Sequence, residues 1–158
     1  MTNQDAPARG AVVTVRGVAS GFAQTVEAGS HRLSADEPAA FGGTDTGPTP
    51  YDLLLAALGA CASMTVALYA RRKGWPLQAL TIRLSYSRVH AVDCAECETK
   101  EGYLDRIEWW FQIIGELTVE QRTRLLAIAQ RCPVHRTLVS RVDIGPPQTN
   151  GTAAAISV

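Results

Sequence analysis

A chain of 158 residues forms one ordinary domain with enough length to bury a core. Apolar residues make up 46% and charged residues 19%, the balance of a soluble globular protein. Fifteen Lys and Arg offset fifteen Asp and Glu, so neither nucleic acid nor an anionic membrane surface is an expected partner.

No apolar run is read as reaching the roughly 18 residues that a spanning helix needs. The opening MTNQDAPARG lacks the basic-then-apolar order of a signal peptide. The expectation is a cytoplasmic protein of a single domain over residues 1–158. Its core spans about 11–144, with a loose leader at 1–10 and a tail at 146–158. In that compartment thiols stay reduced, so Cys61, Cys94, Cys97 and Cys132 are read as reagents, ligands or filler rather than structural disulfides.

In chain order, AVVTVRGV (11–18) alternates and is β-branched, which predicts a strand. FAQTVEA (22–28) and SHRLSAD (30–36) predict two more, giving an antiparallel meander. EPAAFGGTDTGPTP (37–50) is a loop by its Gly, Pro, Thr and Asp content. Thr49 then offers an N-cap, Pro50 the first helical position, and Asp52 an acidic first turn. A long helix follows over 51–73, with one face traced by Leu54, Leu58, Cys61, Thr65 and Leu68 and widened by Leu55, Ala62 and Tyr69. Its middle, Ala56 to Ser63, is rich in small residues, which predicts a central helix packed all round. Gly74 and Pro76 stop it.

LTIRLSYS (80–87) predicts a strand with Leu80, Ile82, Leu84 and Tyr86 inward. RVHAVDCAECETKEG (88–102) reads as a polar loop. LDRIEWWFQIIG (104–115) predicts a strand with Ile107, Trp109, Phe111 and Ile113 on one side. Thr118 to Gln121 matches a capping box and opens a helix over 119–131. Pro133 breaks that helix and starts a short one, VHRTLVS. LVSRVDI (138–144) is expected as a last strand. The order of elements is that of an α+β domain.

The cysteines divide by context. Cys132 stands at the N-cap of the short helix, where amides and the dipole would lower its pKa. His135 and Arg136 add positive charge nearby. The plainer reading is a small residue that merely ends a helix. Cys61 lies mid-helix on the apolar face, where burial alone makes a thiol inert; only a neighbouring cation would make it a nucleophile. Cys94-Ala-Glu-Cys97 is half of a zinc motif, and His90 could supply a third ligand from the same loop. An ordinary loop and a redox pair are the other readings of that stretch.

GPTPYDLLLAALGACASMT, the strand after GWPL, and LLAIAQRCPVHRTL together resemble the OsmC/Ohr family, the osmotically inducible and organic-hydroperoxide-resistance proteins. The resemblance implies antiparallel sheets wrapped around a long central helix in an intertwined homodimer. It implies a peroxidase acting on organic hydroperoxides. In that scheme Cys61 is oxidised to a sulfenic acid, and Cys132 resolves it as a disulfide. A dithiol such as a dihydrolipoyl protein resets the pair, and no bound cofactor is expected. The family activates its first cysteine with an arginine oriented by a glutamate. The glutamate's place, directly after the helix-opening proline, is Tyr51 here, with Asp52 one residue on. A helical side chain turns by about 100° per residue, so Asp52 is not a simple replacement. Arg16 and Arg32 are the N-terminal arginine candidates, and His135 is a further candidate activator. Without the arginine–glutamate pair, a redox sensor or small-ligand binder on the same fold is the alternative. A metal protein using His90, Cys94 and Cys97 is a further alternative.

Overall fold

The computed structural model describes residues 12–90 and 102–147. Three short strands come first among the described residues: β1 (Val13–Gly17), β2 (Gln24–Ala28) and β3 (His31–Ala35). They form one antiparallel sheet in the order β1-β2-β3. Register places Val15 opposite Val26 and Val26 opposite Leu33. Because side chains alternate along a strand, this gives the sheet one apolar stripe. Val13, Val15 and Leu33 remain exposed, since none of these strands packs extensively on a helix of the same chain.

The loop that follows is organised by one carboxylate. Asp36 is buried, with only 2% of its surface exposed. Its Oδ1 accepts from the Glu37 N–H at 2.8 Å. Its Oδ2 accepts the N–H and hydroxyl of Thr44 at 3.0 and 2.6 Å, and those of Thr46 at 3.2 and 2.9 Å. These donors favour the ionised form and hold the carboxyl far below its usual range, the Thr44 hydroxyl most of all. The loop thereby delivers the chain to Thr49 in a set direction.

Helix α1 (Pro50–Lys73) begins as the sequence predicts. The Thr49 hydroxyl accepts from the Asp52 N–H, while Asp52 accepts from the Thr49 N–H at 2.9 Å and hydroxyl at 2.8 Å. Gly74 ends it in the left-handed conformation, φ 64°. Two expectations for this helix are corrected. Its most apolar 18-residue window has a mean hydropathy of 2.0, enough to cross a membrane by length and composition. Instead, Leu58, Ala62, Val66 and Ala70 form the core with α2, so α1 is a core helix. Nor is it packed all round within the chain, because Met64 is 71% exposed and Leu68 is also exposed. The buried face runs in steps of four from Leu58. It keeps Leu58 and Ala62 of the predicted face but turns toward Val66 and Ala70, because a helix apolar on every side gives periodicity little to choose between.

Strands β4 (Leu77–His90) and β5 (Tyr103–Gly115) form a long antiparallel pair. Arg88 to His90 continue β4 rather than starting a loop. Leu80, Ile82 and Leu84, with Ile107, Trp109, Phe111 and Ile113, face the helical core as the alternation predicts. Gly59 permits the close approach of α1 to β4, since a Cβ there would lie 2.8 Å from Leu84 Cδ1. Helix α2 (Val119–Ala129) opens on the predicted capping box of Thr118 and Gln121. The Arg122 guanidinium donates to the Ile113 and Gly115 carbonyls at 2.6 and 2.8 Å, tying α2 to the end of β5. Leu125, Ile128 and Ala129 pack on α1.

Helix α3 (Pro133–Val139) follows at once. The strand expected over 138–144 does not form. Leu138 and Val139 complete α3, and residues 141–147 have no regular structure. A strand needs a paired edge, and neither described sheet lends one to this segment.

Candidate active site

Two thiols from distant parts of the sequence meet beside the core. Cys61 sits mid-way along α1, half-buried, with its carbonyl already accepting the Thr65 hydroxyl at 2.8 Å. Cys132 is the N-cap of α3 and is fully buried. Its sulfur accepts the His135 N–H at 3.3 Å, as an N-cap oxygen would. Both thiols are free. They lie close enough for Cys61 to act on the ionisation of Cys132 by hydrogen bonding and by charge.

The expected lowering of the Cys132 pKa is corrected. Burial pushes this thiol up, the His135 N–H pulls the other way, and Cys61 pushes it further up. A sulfur removed from water loses more hydration than two amides at the start of a seven-residue helix restore.

Aromatic rings of β5 stand beside α3. Trp109 meets Phe111 edge-on, with centroids 5.3 Å apart. The ring of His135 lies flat against Trp109 at 5.3 Å, with the planes only 4° apart. Val134 and Cys61 pack on the same core. His135 Nδ1 is buried and has no hydrogen-bond partner among the described residues.

The remaining candidates are placed elsewhere. Asp52 is engaged with Thr49 in the cap of α1. Tyr51 stacks on Tyr86, with centroids 4.1 Å apart and planes at 23°. The Tyr86 phenol donates to Asp105 Oδ1 at 2.7 Å. The contact with Tyr51 first, and Asp105 next, keeps that phenol protonated well above its ordinary range. Arg16 is paired with Glu27 on the N-terminal sheet. Arg32 lies opposite Glu27 in register and adds to the lowering of that carboxyl's pKa, after Arg16. This chain therefore does not bring either arginine to Cys61. His90 closes β4 opposite Tyr103, and Cys94 and Cys97 lie outside the described residues.

Sequence reasoning missed the Asp36 knot and the stacking of His135 on Trp109. A Thr-x-Thr pair eight residues after an Asp was the available signal for the first. The second joins residues 26 apart and left none.

The family model for OsmC-like proteins matches residues 43–146, which include Cys61 and Cys132. Among curated proteins, none matches by sequence. Solved structures share the fold at low identity. An OsmC-like protein from Mycoplasma pneumoniae is 21% identical with a TM-score of 0.66, over 83% of this chain and 88% of that one. An organic hydroperoxide resistance protein OsmC from Legionella pneumophila is 19% identical with a TM-score of 0.63, over 87% and 95%. The organic hydroperoxide resistance protein OhrB of Bacillus subtilis is 22% identical with a TM-score of 0.58, over 85% and 93%. With the match covering well over half of its length, the chain belongs to the OsmC-like family.

Proposed function

We propose that this protein is a thiol-dependent peroxidase that reduces organic hydroperoxides, working as a cytoplasmic homodimer. The observation that carries the reading is the meeting of the Cys61 and Cys132 thiols beside an aromatic wall. The Cys61 thiolate attacks the terminal oxygen of the hydroperoxide. The S–O bond forms as the O–O bond breaks, sulfur gives up two electrons, and the alkoxide leaves and is protonated to the alcohol. The Cys132 sulfur then attacks the Cys61 sulfur. The S–S bond forms as the S–O bond breaks, and hydroxide leaves to become water. An external dithiol exchanges with the disulfide and restores both thiols. Trp109 and Phe111 give an alkyl group apolar contact that hydrogen peroxide cannot use.

A second copy is supported by surfaces that one chain leaves bare. The apolar stripe of β1–β3 and the open face of α1 at Met64 and Leu68 are exposed in the single chain. Small residues along α1 suit the close crossing of a symmetry mate. A partner is also the source from which a cation for Cys61 can come.

The test is the rate of cumene hydroperoxide consumption against that of hydrogen peroxide, with dihydrolipoamide as reductant. Faster turnover of the organic substrate is expected. No turnover of either favours a second reading, a redox sensor or small-ligand binder on the same fold. The engagement of Asp52, Tyr51, Arg16 and Arg32 elsewhere supports that alternative. Metal content of the purified protein tests the His90, Cys94 and Cys97 set.

A further inference from the structure

The resolving step poses a problem that the first step does not. Cys132 must attack as a thiolate, yet it is fully buried and burial favours its protonated form. Something must take its proton. The neighbouring base is His135, whose backbone N–H already donates to the Cys132 sulfur. The imidazole belongs to that same residue, so a single water is the bridge that a proton would need between its Nδ1 and the sulfur. Its Nδ1 is buried and makes no hydrogen bond among the described residues. A sealed, unpartnered ring nitrogen is costly to keep, and no structural partner here accounts for it. The face-to-face contact with Trp109 adds a reason for the site to hold a transient imidazolium, since an indole face attracts cations.

We propose that His135 carries the proton of the resolving step: its Nδ1 takes the proton of the Cys132 thiol as that sulfur attacks oxidised Cys61, and returns it to the group that leaves. This rests on the two-thiol reading above. With Cys61 as the sulfenic acid, the S–S bond forms, the S–O bond breaks, and the departing hydroxide receives the proton to give water. No other oxidant or reductant enters.

Among the described residues, the charged and titratable groups on the elements around His135 do not supply a rival base. On α1 the neighbouring group is Cys61 itself. On β5 the same face carries Asp105, which is bonded to Tyr86 and lies near Arg88. Arg131, in the turn between α2 and α3, and Arg136 on α3 are exposed cations that cannot accept a proton.

The experiment uses the full chain with Cys94→Ser and Cys97→Ser, so that only two thiols report. One equivalent of cumene hydroperoxide is mixed rapidly, and peroxide loss and Cys61–Cys132 disulfide formation are followed separately across pH. In H135F, which keeps an aromatic ring against Trp109, the ratio of disulfide formation to peroxide loss should fall about tenfold or more at neutral pH. It should recover as alkali ionises Cys132 unaided, giving a steeper pH profile than the parent's. H135Q, of similar size and polar, should show the same loss if the phenylalanine variant folds poorly. A parental ratio and profile in a folded variant overturns the proposal.

A second arm bypasses the peroxide. The Cys61 mixed disulfide with 5-thio-2-nitrobenzoate is attacked by Cys132, and the released coloured thiolate gives the rate. If the parent is inert to hydroperoxide but this release depends on His135, the peroxidase reading fails and the proton carrier stands. If release is equal in parent and variants, the carrier fails whatever the peroxide result.

Discussion

Thr44 closes on Asp36 through two groups at once, its hydroxyl at 2.6 Å and its N–H at 3.0 Å. The Asp36 carboxyl is depressed in the folded state, so its contribution is present at neutral pH, above the ordinary unfolded value of about 3.9. It is lost as pH falls below that value through the folded one. Asp36→Ala should lower the thermal midpoint at pH 7 by about 5 °C or more. The gap between variant and parent should narrow in acid, as read by melting curves from pH 7 down to the carboxylate range.

Replacing either sulfur should separate the two steps. On the proposed peroxidase reading, Cys61→Ser should lower steady-state hydroperoxide consumption by about a hundredfold or more, because it removes the sulfur assigned as nucleophile. Cys132→Ser should consume a single equivalent and then accumulate sulfinic and sulfonic acid at Cys61, visible by mass spectrometry. Parental turnover in both variants would exclude the peroxidase.

The two thiols should also differ toward an alkylating agent. Burial raises the Cys132 pKa, so this thiol is protonated at neutral pH and sealed from reagent. Cys61 should be alkylated first by iodoacetamide at pH 7, with Cys132 following as pH rises. The sign for stability is the same: a raised thiol pKa contributes fully below the unfolded value of about 8.5 and is lost as pH climbs through the folded one. Peptide mapping of alkylation against pH checks the order.

Leu125 has no exposed surface and links α2 to the α1 core. Leu125→Ala should cost about 2–5 kcal/mol, transfer plus cavity, in denaturant unfolding. Thr118→Ala removes one half of the α2 capping box and should cost about 1 kcal/mol. A Leu125 variant as stable as the Thr118 variant would contradict this packing.

Local chemistry was the legible part of the sequence. Thr49, Pro50 and Gly74 bound α1 because caps and stops are encoded within one turn. Trp109 and Phe111 fall on the core face because alternation has no competitor in a half-buried strand. Pro133 breaks the helix where its missing N–H demands. Long-range relations were not legible. The buried face of α1 depends on which neighbours arrive, and the segment 138–144 lacks the partner edge that a strand requires. At the site, the two sulfurs were marked by family motif. The ionisation of Cys132 depended on burial, and the posture of His135 on a tryptophan 26 residues earlier.

Cys132 is the joint between α2 and α3, and Cys61 stands mid-way along the longest helix. A bond between them would span 71 positions of chain. Such a loop closes off much of the freedom of an unfolded polypeptide, worth about 4 kcal/mol in the chain-entropy picture. Each turnover would thus carry the molecule between a stapled form and a looser one, so the redox poise of its surroundings would set how firmly it resists heat and proteases.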